Sequence, residues 1–217
     1  MCALLLQGCA DMADRRELYV VRPQDTVYSI AWRYGLDFRD LARWNNIGSD
    51  FRITVGQTLT LSAPSRSATP ARSRAPAPVR PPPSSPAPIR SAQPSATGQA
   101  WDWPTSRSGA PRPVPSGGIL LSGELGQDVR AAAAGRVVYS GTGIRGYGNL
   151  IIIKHGENLL SAYAHNRESL VHDGQEVVMD QVIGHMGEGA PGKPVLYFEI
   201  RRNGKPVDPL SFLPRVK

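Results

Sequence analysis

The sequence predicts a multidomain chain: a small α+β module of βααβ order at 17–62, a disordered linker at 63–100 and an all-β domain at 101–217. Three observations predict it. Apolar residues recur at helical spacing in two short segments between Val27 and Trp44, with strand-like runs on either side. From Ser62 to Ala100 there is no aromatic residue and no hydrophobic period, only a mixture dominated by Pro, Ala, Ser and Arg. From Gly118 onward short apolar runs alternate with glycines, as strands alternate with tight turns.

The first ten residues, MCALLLQGCA, hold both cysteines, Cys2 and Cys9, so neither reads as half of a core disulfide or part of a metal cluster. Leu6-Gln7-Gly8-Cys9 resembles the lipobox of bacterial lipoproteins, and residues 1–16 are read as a signal remnant with Cys9 as the lipidation site. The basic region and longer apolar run of a complete signal do not precede Leu4, so either the start lies upstream of Met1, the reading preferred here, or the match is chance. Ala10 after the cysteine implies, by that resemblance, an anchor at the periplasmic face of the outer membrane of a Gram-negative bacterium. No stretch is long enough to span a bilayer.

In the first module Tyr19-Val20-Val21 reads as a strand. Asp25-Thr26 then caps a helix carrying Val27, Ile30, Ala31 and Tyr34, and Gly35 ends it. A second helix begins after Asp37 with Phe38, Leu41, Ala42 and Trp44, Asn45-Asn46 breaks it, and Val55-Gly56-Gln57-Thr58-Leu59 leads into the closing strand. YVVRPQDTVYSIAWRYGLDFRDLARWNNI followed by ITVGQTLTL resembles the LysM module along its whole length. That resemblance implies binding to the N-acetylglucosamine units of peptidoglycan, through Asp25 and Thr26 before the first helix and Asn46 and Ile47 after the second. Asp, Thr and Asn also cap helices and make turns without any ligand.

The net charge of +7 is concentrated in the linker and its C-terminal flank, where seven arginines between Ser62 and Pro115 face one acid, Asp102. Those cations have no structured face to sit on, which argues against nucleic acid as a partner. The segment cannot bury enough apolar surface to offset its ordering entropy, and at ~3.1 Å per residue in polyproline geometry it reaches on the order of 100 Å. It reads as a tether.

In the C-terminal region AAAAG (131–135), flanked by strand signals, reads as a strand entering a turn, and Asn203-Gly204 as a tight hairpin turn. In PVLYFEIRRNGKPVDP, alternation puts Leu196, Phe198 and Ile200 on a core face and Val195, Tyr197, Glu199 and Arg201 on the other, which meets solvent or lines a site. GRVVYSGTGIRGYGNLIIIKHGENLLSAYAHN, together with LYFEIRRNGKPVDP, resembles the LytM domain, the lysostaphin-like (duplicated hybrid motif) zinc endopeptidase fold of cell-wall enzymes. Active members hold zinc through H-x-x-x-D and the last His of H-x-H, with one position left for water. Here those positions carry Ser116 and Leu120, and Val195 and Tyr197. Leucine has no lone pair, serine is a poor zinc ligand and one tyrosine cannot hold the ion. Of the family's site histidines only His165 is left, so the expectation is no metal, no other cofactor and no catalytic residue.

None of His155, His165, His172 and His185 forms a metal-binding spacing with another. His155 and His165 are placed where a hairpin could bring them face to face, although isolated strand histidines are more often structural. A groove that keeps its shape without its chemistry is suited to binding, and the expected lining is Arg145, Tyr147, Tyr163, His165, Tyr197, Glu199 and Arg201, Tyr and Arg being enriched at interface hot spots.

A LysM module, a Pro-rich tether and a LytM domain without its ligands together resemble the murein hydrolase activators of the NlpD lipoprotein type, with YFEIRR leaning toward the EnvC pattern. The resemblance implies a non-catalytic activator of a periplasmic N-acetylmuramoyl-L-alanine amidase in septal cell-wall splitting, anchored to the outer membrane and bound to peptidoglycan. Two other readings are a passive wall-binding scaffold and an active metallo-endopeptidase with unrecognised ligands.

Overall fold

A computed structural model of the chain describes residues 17–64, 99–106, 109–190 and 192–215. Cys9 and linker residues 65–98 lie outside them.

The N-terminal module has the order read from the sequence. β1 (Leu18–Val20) pairs antiparallel with β2 (Thr58–Thr60), and α1 (Val27–Tyr34) and α2 (Phe38–Trp44) lie between them in the chain. Thr26 and Ser29 form a reciprocal capping box at the start of α1, with Ser29 N donating to Thr26 Oγ1 at 3.0 Å and Thr26 N to Ser29 Oγ at 2.9 Å. Gly35 at φ 65° ends the helix in the left-handed region, where a side chain would be strained. The Asn45 amide ends α2 and joins it to β2, since its Nδ2 donates to Leu41 O and Thr60 O while its Oδ1 accepts from Thr60 N. Val27, Ile30, Leu41 and Leu59 fill the centre.

The C-terminal domain is antiparallel throughout. In chain order its strands are β3 (Arg112–Pro113), β4 (Ile119–Ser122), β5 (Asp128–Arg130), β6 (Gly135–Gly141), β7 (Asn149–His155) and β8 (Leu159–Ser169). There follow β9 (Glu176–Val177), β10 (Val182–Met186), β11 (Glu188–Ala190), β12 (Lys193–Arg202) and β13 (Lys205–Val207). The main sheet runs β3-β4-β12-β8-β7-β6-β9, with β10 bridging β8 to β5. Asn203 and Gly204, at φ 53° and 75°, make the tight turn between β12 and β13, as expected. Ala131–Ala134 differ from the expected strand: β5 stops at Arg130 and Ala132, Ala133 and Ala134 form bends. Their small side chains let the backbone pass close to the core, where Ala132 N donates to the buried Tyr163 hydroxyl and Ala132 O accepts from Asp102 N.

Alternation divides the strands between two cores. Ile119, Leu121, Ile151, Ile153, Leu196, Phe198 and Ile200 point into the domain and meet Val129, Ile183 and Met186. Tyr139, Leu150, Ile152, Leu160, Ala162 and Tyr197 point the other way and share a single apolar cluster with Val27, Ile30, Trp32 and Leu41 of the first module. The two modules therefore pack face to face. Polar contacts fix the seam: Thr26 Oγ1 donates to Val138 O at 3.0 Å, Arg33 Nη2 to Gly143 O at 3.1 Å and Arg39 Nη2 to Asn203 Oδ1 at 2.7 Å.

Candidate functional site

The outward face of β12 is a continuous polar chain. Ser116 Oγ lies 3.0 Å from the Tyr197 hydroxyl, which donates to Glu199 Oε2 at 2.5 Å. Glu199 Oε1 accepts from Arg201 Nε at 2.7 Å. Arg201 Nη1 then donates to Trp32 O at 2.7 Å, and its guanidinium sits 3.7 Å from the Trp32 ring centroid. Burial pushes the Tyr197 hydroxyl above its ordinary value, and the Glu199 carboxylate adds to the shift, so tyrosine stays protonated and able to donate.

The three positions that would supply metal ligands do come together. Leu120 is the cross-strand partner of Tyr197, and Ser116 reaches the same hydroxyl. Their chemistry does not fit zinc, because Leu120 has no lone pair, Ser116 and Tyr197 offer neutral hydroxyls bonded to each other, and the neighbouring Glu199 carboxylate is engaged by Tyr197 and Arg201. The Tyr197 ring also lies against Gly118, where an added Cβ would fall 2.7 Å from Cζ, so the phenol fills this space. Among the described residues no group of three or more His, Cys, Asp or Glu is placed to hold a metal ion.

Around this centre Tyr147 meets Tyr197 edge-on at 5.6 Å between centroids, and His165 lies 6.3 Å from the same ring. His165 has φ 64°, a left-handed backbone imposed where β8 irregularly passes β7, and burial lowers its pKa, leaving the imidazole neutral near pH 7. Arg145 is exposed beside Tyr147 and makes no hydrogen bond or ion pair among the described residues.

Two sequence expectations require correction. Tyr163 is not in the groove: it is the cross-strand partner of Phe198, points into the inner core and accepts from Ala132 N, with burial raising its pKa to about 12. Glu199 and Arg201 do not meet solvent, being 0% and 8% exposed, because Trp32 covers them. His155 and His165 do not meet, and His155 has the structural setting that isolated strand histidines more often take. His155 is buried between Ser161 Oγ at 2.6 Å, Ala134 O at 2.8 Å and the Trp101 ring.

In the first module the Asp25 carboxylate is used internally, accepting from the Tyr19 hydroxyl at 2.6 Å and Arg22 N at 2.8 Å and pairing with Arg33 at 3.2 Å. Thr26 lines a groove with Tyr28 and residues 49–52, whereas Asn46 and Ile47 lie outside that lining. Tyr28 and Phe51, whose ring centroids lie 5.5 Å apart, are not singled out by the sequence. Phe51 has φ 53°, unusual for a bulky residue, a property of the backbone that composition does not reveal.

Two family descriptions match the chain: LysM domain over residues 19–62 and Peptidase family M23 over residues 114–209. The chain is 42% identical to the Lipoprotein NlpD/LppB homolog of Pseudomonas aeruginosa, an alignment covering 96% of this chain and 82% of the relative. It is 35% identical to Outer membrane antigenic lipoprotein B of Haemophilus influenzae, over 91% of this chain and 64% of that protein. It is 37% identical to Murein hydrolase activator NlpD of Salmonella typhimurium, over 91% and 68% respectively.

Proposed function

Because this chain belongs to the NlpD/LppB lipoprotein family, joining a LysM domain to a peptidase M23 domain, we propose that it is a non-catalytic activator of a cell-wall hydrolase. The observation that carries this reading is that Ser116, Leu120 and Tyr197 stand at the expected ligand positions and, among the described residues, leave no donor set for a catalytic ion. The partner we propose is a periplasmic N-acetylmuramoyl-L-alanine amidase acting at the division septum. The LysM module and a lipid on Cys9 hold the chain between peptidoglycan and the outer membrane, raising its effective concentration at the wall.

The surface for the amidase is narrower than the sequence implied. Glu199 and Arg201 secure the LysM module, so the residues we assign to the amidase surface are Arg145, Tyr147, His165 and the rim of Tyr197, with Arg145 and Tyr147 lining a cleft shared with Tyr19, Arg22 and Arg33. Activation then follows from differential affinity: the groove binds the amidase's open state more tightly than its closed state and shifts the balance between them. Arg145→Glu reverses an exposed, unpartnered charge and spares the fold. The variant is expected to need a roughly 30-fold higher concentration for half-maximal activation, the scale of a 2 kcal/mol hot spot, at unchanged melting temperature. Full activation by the folded variant would refute the groove assignment.

A further inference from the structure

A second groove, of about 1400 Å³, runs along the seam between the modules, on a different part of the surface from Tyr197 and His165. Its LysM side includes Thr26, Tyr28 and residues 49–52, and its other wall comes from β6, β7 and the β7–β8 turn: Arg136, Lys154 and Asn158. We propose that this is a composite glycan site, in which the peptidase-like domain supplies subsites that lengthen the LysM mouth for β-1,4-linked N-acetylhexosamine strands. It deepens the reading that the LysM module binds peptidoglycan and rests on it.

Four observations carry the inference. The groove exceeds the roughly 300–1,000 Å³ typical of a site for one small molecule, which suits an extended ligand. Three polar side chains in its lining, the Tyr28 hydroxyl, the Lys154 ammonium and the Asn158 amide, make no hydrogen bond or ion pair among the described residues. All three belong to half-buried residues that line the groove and are left to solvent, which sugar hydroxyls and acetamides can replace. Phe51 is held in a left-handed backbone conformation with its ring against Tyr28 and Phe38, an aromatic surface of the kind on which sugar rings pack. The walls also carry both signs of charge, Arg52 near Asp50 and Arg136 near Glu176, as suits a largely neutral polar ligand.

Chain length of the ligand supplies the test. With the full chain, calorimetric titration is expected to show chitohexaose binding at least about tenfold more tightly than chitotriose, because only the longer oligomer spans both walls. Lys154→Ala/Asn158→Ala is expected to bring that ratio to within about twofold, with the chitotriose affinity and the melting temperature unchanged. Arg167→Glu, an exposed charge outside the groove, serves as control and keeps the full ratio. An unchanged ratio in the double variant overturns the composite site and leaves the LysM reading intact, as does equal loss of both oligomers. Failure of the unmodified chain to bind either oligomer overturns both.

Discussion

At the scale of single residues, two buried polar groups dominate. Glu199 and Arg201 form an ion pair under Trp32, and such a pair is far costlier to break than to replace. Arg201→Ala leaves a carboxylate buried without its cation and is expected to lower unfolding stability by about 3–5 kcal/mol. Glu199→Leu/Arg201→Met, which removes both charges, is expected to recover most of that loss; urea denaturation of the two variants measures the difference. His155 sets the pH response. Burial lowers its pKa from 6.5 to about 4, so the folded state refuses a proton that the unfolded chain accepts. Its contribution is complete above pH 6.5 and is lost as pH falls toward 4, about 3 kcal/mol over that window. Urea midpoints at pH 7, 5.5 and 4.5 should fall accordingly, and His155→Gln should flatten the fall; identical slopes would show that other groups carry it.

Among the elements, the β12–β13 hairpin joins the two modules. Gly204 lies against the turn between α1 and α2, where an added Cβ would fall 2.4 Å from Leu36 O, and its φ of 75° disfavours any side chain. Gly204→Ala should therefore loosen the seam as well as strain the turn, and amide exchange is expected to quicken at Leu36 and Asp37 as well as within β13. Exchange confined to β13 would mean the seam does not depend on this contact. The sequence shows the glycine's local role, because Asn-Gly between apolar alternations is a turn signal. It does not show the second role, for which residues 36 and 204 must already be in contact. The same distinction explains Tyr163 and the alanines. The face of Tyr163 depends on register with Phe198 in β12, and the bends at 132–134 depend on what the backbone passes, neither of which is contained in a local window.

For the whole molecule, the helices and strands of both modules were legible because period, caps and turns are local properties. The identity of the three converging hydroxyl and leucine positions was legible through family resemblance. What was not legible is the packing of one module on the other: Arg201 and Trp32 are 169 residues apart, and neither segment signals the other. That packing changes the functional account. It withdraws Glu199 and Arg201 from the open groove and creates the long seam beside Tyr28 and Lys154. Activation without catalysis is the role proposed for the chain. Its most direct test is dye release from labelled peptidoglycan by the full chain, a periplasmic zinc amidase of the same organism, and the two combined. Release by the mixture is expected well above the sum of the separate rates, with none from the chain alone. Chelator-sensitive release by the chain alone would contradict it, and no enhancement in the mixture would reduce the chain to a wall-binding scaffold.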